Sequence, residues 1–413
     1  MSSDTLAIDF GTSNSAAAIL SAGEVRRIAI EHGADTLPTA VFFPPDGAEM
    51  LIGEAATKAL IEREDGRYMR ALKSVLGSAL FHEKRPIMGK FRTIGDIVAE
   101  FLIAIRERCE AETGTRYTKV LSGRPVRFHS LDQERDQRAE DDLRACYHAA
   151  GFEEVRFLVE PEAAAVASHH AGGHNGLGLI VDIGGGTSDF TVYRHQSGRP
   201  DVLANHGIRL GGTDFDYSVS LTHAMPALGL GGQLRRPMGG GLVPVQRGPF
   251  VDLATWSQIP FLYTAENRRM VAEMVRQAVE PGKIARLGTV LELELGHELA
   301  FAVERAKISV NETNCTNQLE LGYVESGLAQ PVEPEGLESA LDDSRSALGD
   351  AMRETIAAAG TTPDKIQQVV LVGGSSLMRF VVDGATSVCP EASVVRSEAF
   401  TAVVDGLALA TAH

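Results

Sequence analysis

Cysteine is scarce in this chain. Its 413 residues include four, Cys109, Cys146, Cys315 and Cys389, far apart and never in a C-x-x-C pair. That spacing argues against a disulfide framework or a cysteine zinc site, and fits a reducing compartment. Basic charge is short as well: 39 Lys and Arg stand against 55 Asp and Glu, for a net charge of −16. Such a balance argues against wrapping nucleic acid or an anionic membrane surface, so neither is expected as a partner. A nucleotide needs only local donors and is not excluded. No apolar run approaches the roughly 20 residues that cross a bilayer. No basic, apolar leader precedes the first strand pattern, and a cytoplasmic protein is expected. The length predicts two lobes rather than one core.

What is present alternates between strand and helix patterns and predicts an α/β protein. "LAIDF" and "SAAAIL" flank a turn near the start, and "EVRRIAI" continues the meander. Residues 54–115 read as largely helical. The clearest stretch is "IGDIVAEFLIAIRERCEAETG", where Ile97, Phe101, Ile105 and Cys109 recur every four positions and Gly114 closes the helix. "KVLSGRPV" reads as a strand, "QERDQRAEDDLRACYHAAG" as an amphipathic helix, "VRFLVEP" as a strand and "EAAAVASHH" as a helix. Residues 222–250, rich in Gly and Pro, read as an exposed loop or mobile insertion. His169, His170 and His174, at a helix end before glycines, read as surface histidines rather than as metal ligands.

The opening pattern recurs. "LAIDFGTSNSAAAIL" and "LGLIVDIGGGTSDFTVY" both run an apolar strand into an Asp, a Gly/Thr/Ser turn and a second apolar strand. This is an imperfect internal duplication and predicts two similar lobes. Turns of this kind expose successive backbone N–H groups that cradle an anion, and glycine lets a phosphate approach closely. Thr12, Ser13 and Thr187 add hydroxyl donors. The carboxylates of Asp9 and Asp182 cannot serve an anion directly. They suit a Mg2+ ion bridging phosphate oxygens through water, because Mg2+ sheds its water reluctantly. Two such turns would grip a phosphate tail from both sides.

Six segments, "IDFGTSNS", "VEPEAAAVA", "VDIGGGTSDFTV", "LGGTDFD", "VERAKI" and "VVLVGGSS", stand in the order and spacing of the DnaK-type (Hsp70-like) heat-shock chaperone ATPase domain. The chain resembles that family, within the superfamily of actin and hexokinase, from Leu6 to about Ala412. The variable middle looks most like the YegD-like branch. The resemblance implies an actin-like ATPase fold: two lobes of ribonuclease-H-like topology with inserted subdomains and an interlobe nucleotide cleft. Residues 1–172 would form lobe I, with a subdomain over about 39–115 and a returning C-terminal helix over about 398–413. Residues 173–397 would form lobe II, with a subdomain over about 222–319.

The resemblance also implies roles. Asp9 and Asp182 hold Mg2+ through water. Gly11, Thr12, Ser13 and Asn14 form the first phosphate loop, and Gly184, Gly185, Gly186 and Thr187 the second. Lys73 orients the attacking water and meets the γ-phosphate. Glu160 is the acid near metal and water, and Asp189 is a further acid of the site. Gly211 and Gly212 precede the smaller subdomain. Glu304 and Lys307 lie beside the ribose, and Gly373, Gly374 and Ser375 form the adenosine loop. Where the family carries two arginines on the adenine, this sequence has Ile308 and Leu377. Those side chains pack on a purine without the cation–π contribution of arginine, so weaker adenine selectivity is expected.

The expected function is slow, Mg-dependent ATP hydrolysis, with ATP and ADP as the bound nucleotides and an unknown protein partner or client. A nucleotide-gated switch without a peptide-binding domain is expected, because the sequence stops after the "VVDGLALATA" pattern. The alternatives are a small-molecule kinase of the same superfold, a nucleotide-dependent filament or scaffold protein, and a nucleotide-sensing adaptor with vestigial hydrolysis.

Overall fold

The computed structural model describes all residues except 1–3, 46–48, 63, 88, 130–131, 171–175, 196–199, 237–238, 397–400 and 413. The expected lobe boundary at 172/173, His174 and the start of the expected C-terminal helix lie outside the described residues. The chain divides into two units, Met1–Gly212 with Arg345–His413, and Thr213–Ser344.

The first unit holds two principal sheets of the same topology. In the first, β1 (Thr5–Phe10), β2 (Asn14–Ser21) and β3 (Glu24–Ile28) form an antiparallel meander. Strands β4 (Lys119–Arg124) and β5 (Glu154–Val159) then add in parallel on the other side of β1. The order is β3-β2-β1-β4-β5. In the second, β6 (Gly176–Ile183), β7 (Ser188–His195) and β8 (Asp201–Ile208) form the meander. Strands β9 (Ile366–Val372) and β10 (Ser393–Arg396) add in parallel beside β6, giving β8-β7-β6-β9-β10. The duplication read from the two Asp turns is thus a duplication of sheets. Both central strands run apolar up to their Asp because both of their faces are covered: Leu6, Ala7, Ile8, Leu179, Ile180 and Val181 are fully buried.

Parallel neighbours need helical crossovers. Helix α1 (Ile94–Thr113) precedes β4 and begins with a capping box between Thr93 and Asp96. It ends at Gly114 in the left-handed conformation, and its expected apolar stripe, Ile97, Phe101, Ile105 and Cys109, is fully buried. Helix α2 (Gln133–Ala149) joins β4 to β5 and is capped by Asp132. Helix α3 (Glu160–His170) follows β5 directly, and its last two residues are His169 and His170. Its alanines Ala163, Ala164 and Ala165 share a buried cluster with Ala402, Leu407 and Ala408 of the C-terminal helix Ala402–Ala410.

One expectation needs detail and one needs correction. Residues 54–115 are helical over Glu54–Ile61, Ala79–His82 and Ile94–Thr113, but two pairings interrupt them: strand Arg67–Arg70 pairs with Ala40–Phe43, and Arg85–Ile87 pairs with Lys90–Arg92 as a hairpin. Glycines in the left-handed region, Gly77 and Gly89, cut the run into short pieces. Residues 222–250 are not an unstructured loop. Their described part holds a hairpin, Gln233–Arg235 with Leu242–Pro244, and the helix Gly248–Ala254. Leu228, Leu234 and Phe250 are buried and anchor the segment, which the surrounding Gly and Pro disguise in sequence. The rest of the second unit is mainly helical, with Ala265–Gln277, Pro281–Glu292 and Gly296–Thr313 its longest elements.

Candidate functional site

The first turn is tight enough that a Cβ on Gly11 would lie 2.2 Å from the carbonyl oxygen of Asn14, the residue that opens β2. The second turn is closed by the Gly184 N–H donating to the Thr187 carbonyl at 3.0 Å. Asp9 faces Ala16 in the β1–β2 register, whereas Asp182 faces Asp189 directly across β6–β7. Like charges placed opposite one another weaken a ladder. Asp182 and Asp189 are 5% and 1% exposed, so this pairing carries a cost that packing alone does not repay.

The two turns meet. A Cβ on Gly185 would lie 2.6 Å from Ser13 Oγ and 3.0 Å from Thr12 Cβ, and one on Gly186 would lie 3.3 Å from Thr12 Oγ1. Glycine permits that approach without displacing the Ser13 and Thr12 side chains. The segment after β8 closes on the second turn: a Cβ on Gly211 would lie 2.6 Å from the Gly186 nitrogen, and the Gly212 N–H donates to the Gly184 carbonyl at 2.9 Å. The loop after β9 completes the group. Gly373 has φ +80°, and its Cβ position is 2.9 Å from Asp182 Oδ1, while that of Gly212 is 2.3 Å from Ser375 Oγ. Gly374 and Leu377 are the first and last residues of the short 3-10 helix Gly374–Leu377.

Lys73 lies on the 3-10 turn Leu72–Val75, entered through Ala71 at φ 60°, a left-handed conformation that costs energy outside glycine. Its Nζ donates to Glu160 Oε1 at 2.7 Å, with the two side chains 7% and 13% exposed. Glu160 is the first residue of α3, where the helix dipole favours an acid. Asp189 Oδ1 accepts from the Val126 N–H at 2.7 Å, which ties the loop after β4 to β7.

Four carboxylates therefore share one buried ammonium. Burial, reinforced by the charge of Glu160 and opposed by Lys73, pushes the Asp9 carboxyl up to about 7. Burial and the charges of Glu160, Asp189 and Asp9 hold Asp182 well above the usual carboxylate range. Asp189 is likewise held well above it by burial and Glu160, against the pull of the Val126 N–H and Lys73. Burial alone would lower the Lys73 ammonium, but Glu160 and Asp9 overcome that and hold it above its ordinary value. An oxygen-rich, negatively charged cluster suits a hard cation. Among the described residues no three acids, histidines or cysteines form a group set to hold a metal directly. A Mg2+ ion that keeps its own waters fits this donor set.

The remaining expected residues belong to the second unit. Glu304, Lys307 and Ile308 lie on the helix Gly296–Thr313. Lys307 is buried and pairs with Asp216 at 2.6 Å, and Asp216 also accepts from Trp256 Nε1 at 3.1 Å. Burial raises the Asp216 carboxyl against the opposing charge of Lys307. Ile308 is 43% exposed. Sequence reasoning overlooked Arg209 and His129. Both border a small pocket with Thr12, Lys73, Ser74 and Thr187. The available signal was a cation two residues ahead of Gly211.

Comparison with known proteins agrees with this geometry. The Hsp70 protein family profile matches residues 5–225. A chaperone protein HscA homolog of Azoarcus sp. is 34% identical over 227 residues, which cover 51% of this chain and 35% of that protein. A second HscA homolog, of Azotobacter vinelandii, is 33% identical over 233 residues, covering 52% and 36%. The matches thus span about a third of the length of these curated relatives. The chain belongs to the Hsp70 protein family, and its doubled sheet is that family's actin-like ATPase fold.

Proposed function

We propose that this chain binds ATP with Mg2+ and hydrolyses it slowly, as a nucleotide-gated switch acting on a protein client. The observation that carries this reading is the face-to-face packing of two acid-bearing turns beside the Lys73–Glu160 pair. Hydrolysis of a γ-phosphoryl group is mostly positioning and charge neutralisation. The N–H groups and hydroxyls of Thr12, Ser13 and Thr187 receive phosphate oxygens. Asp9 and Asp182 would hold Mg2+ through its waters, and the ion would supply charge neutralisation of the phosphates. Glu160 accepts a proton of the attacking water, and Lys73 holds that water toward the γ-phosphorus. Asp189 keeps the second turn and the loop at Val126 in register. Gly211 and Gly212 secure that turn from behind. Gly373, Gly374 and Ser375 take the nucleoside end, with Glu304 on the ribose. Ile308 and Leu377 offer the base apolar contact only.

Both relatives are chaperones, which supports a protein client. Titration calorimetry of the full chain with Mg-ATP tests the first step. Wild type is expected to bind, and Asp9→Asn to bind at least tenfold more weakly. Absence of Mg-dependent ATP binding by wild type overturns the reading. Capture of a partner in one nucleotide state and not the other tests the switch.

A further inference from the structure

The charge around the two turns is unfavourable for a triphosphate. Among the described residues Lys73 is the one ammonium at the carboxylates of Asp9, Glu160, Asp182 and Asp189, and it is bound to Glu160 at 2.7 Å. A terminal phosphoryl group brought to Thr12 and Thr187 would gain from a cation of the chain beside any metal ion. The structure assigns that role to Arg209, which we propose binds the terminal phosphate of a nucleoside triphosphate. This inference rests on the ATP-binding reading above and adds a residue to it.

Three observations converge on Arg209. It lines the same small pocket as Thr12, Lys73 and Thr187, residues of both turns and of the Lys73 turn. Its Nη2 donates to the carbonyl of Ser74 at 3.1 Å, which fixes it beside the turn that carries Lys73. Its backbone is registered on the second phosphate turn: Ser188 Oγ donates to the Leu210 carbonyl at 2.7 Å, and Gly212 N–H to the Gly184 carbonyl at 2.9 Å. Arg209 is thus held from both sides of the pocket before any phosphate arrives. A planar guanidinium matches two phosphate oxygens at once. His129, the other basic residue of the pocket, donates Nε2–H to the Leu76 carbonyl at 2.7 Å. Burial lowers its pKa, so it stays neutral and does not substitute for Arg209.

A ligand of the γ-phosphate distinguishes ATP from ADP, which a merely structural residue does not. The test is Mg-ATP and Mg-ADP affinity by calorimetry for wild type, Arg209→Ala and Arg209→Lys, using the full chain. Arg209→Ala is expected to weaken ATP binding about tenfold to a hundredfold, the loss of a charge-assisted contact, and ADP binding less than twofold. Arg209→Lys should recover part of the ATP affinity. Equal losses for ATP and ADP, or no loss for either, overturn the assignment while leaving ATP binding intact. A wild-type chain that binds neither nucleotide overturns the underlying reading, and the assignment with it. Arg209 is exposed, so folded variants are expected, checked by thermal midpoint.

Discussion

The carboxylate cluster makes a prediction opposite to the usual effect of altering a site residue: Asp9→Asn stabilises the metal-free protein. In the unfolded chain Asp9 ionises near its ordinary value of 3.8, whereas the folded chain keeps the proton until about pH 7. Between those values the folded state binds more protons than the unfolded state, so stability falls as pH rises through that window. Asparagine, isosteric and neutral, removes the liability. Each pH unit of displacement corresponds to about 1.4 kcal/mol, so the ceiling is about 4 kcal/mol above pH 8. Asp9 retains some solvent contact, and screening there leaves a working value of about 2 kcal/mol.

The measurement is urea unfolding of wild type and Asp9→Asn in EDTA at intervals from pH 4 to pH 8.5. The variant's advantage should be under about 1 kcal/mol at pH 4, grow through pH 5 to 7 and level off above pH 8. Adding Mg2+ should then stabilise wild type more than the variant, because the cation and the lost charge relieve the same repulsion. An Asp9→Asn protein that is less stable than wild type at pH 8 in EDTA would refute the reasoning. Asp9 would then be a stabilising hydrogen-bond acceptor whose charge the fold tolerates at no cost.

Three further outcomes follow from the same geometry. Lys73→Met strands Glu160 without its 2.7 Å partner and should cost about 3–5 kcal/mol in urea unfolding at pH 7.5. Adding Glu160→Gln should recover part of that loss, and a coupling near zero in the double-mutant cycle would show the pair to be unimportant. Gly406→Ala would place a Cβ 1.7 Å from the Ala163 carbonyl, forcing the C-terminal helix off α3. A thermal midpoint shift equivalent to about 3 kcal/mol is expected, and an unchanged midpoint would mean the two helices separate freely. Competition between ATP and GTP should show weak base discrimination in wild type. Ile308→Arg should raise ATP affinity several-fold, and strong adenine preference in wild type would refute the role given to the apolar side chains.

The parts of this site written within a few residues of one another were legible in the sequence. The acid, the glycines and the hydroxyls of each turn fall inside single short segments, and the strand, turn and strand around them are local patterns. Their repetition was also legible, because the second sheet repeats the meander of the first and then adds parallel strands in the same order. Lys73 was not visible in this way. It sits 87 residues from Glu160, on one 3-10 turn whose sequence has no periodicity to read, and only the resemblance to a family picked it out. Arg209 was visible to neither approach. Its place depends on Ser74, 135 residues away, and on glycine contacts that register one loop on another.

The same logic explains the segment misread as a loop and the strands that interrupt the helices of 54–115. In 222–250 the density of Gly and Pro outweighed three buried anchors, Leu228, Leu234 and Phe250, whose value exists only once the hairpin has neighbours. In 54–115 the strand Arg67–Arg70 takes its conformation from Ala40–Phe43 across the sheet, not from its own four residues. Phosphate-binding chemistry is carried by backbone geometry and is therefore written locally. Charge balance is a sum over distant elements. The second sheet brings Asp182 and Asp189 into direct opposition, the crossover at α3 brings Glu160, and the excursion before α1 brings Lys73. An excess of acid at the meeting point of the turns is thus a consequence of topology, and any cation that relieves it, whether a metal ion or Arg209, couples phosphate binding to the packing of all three elements.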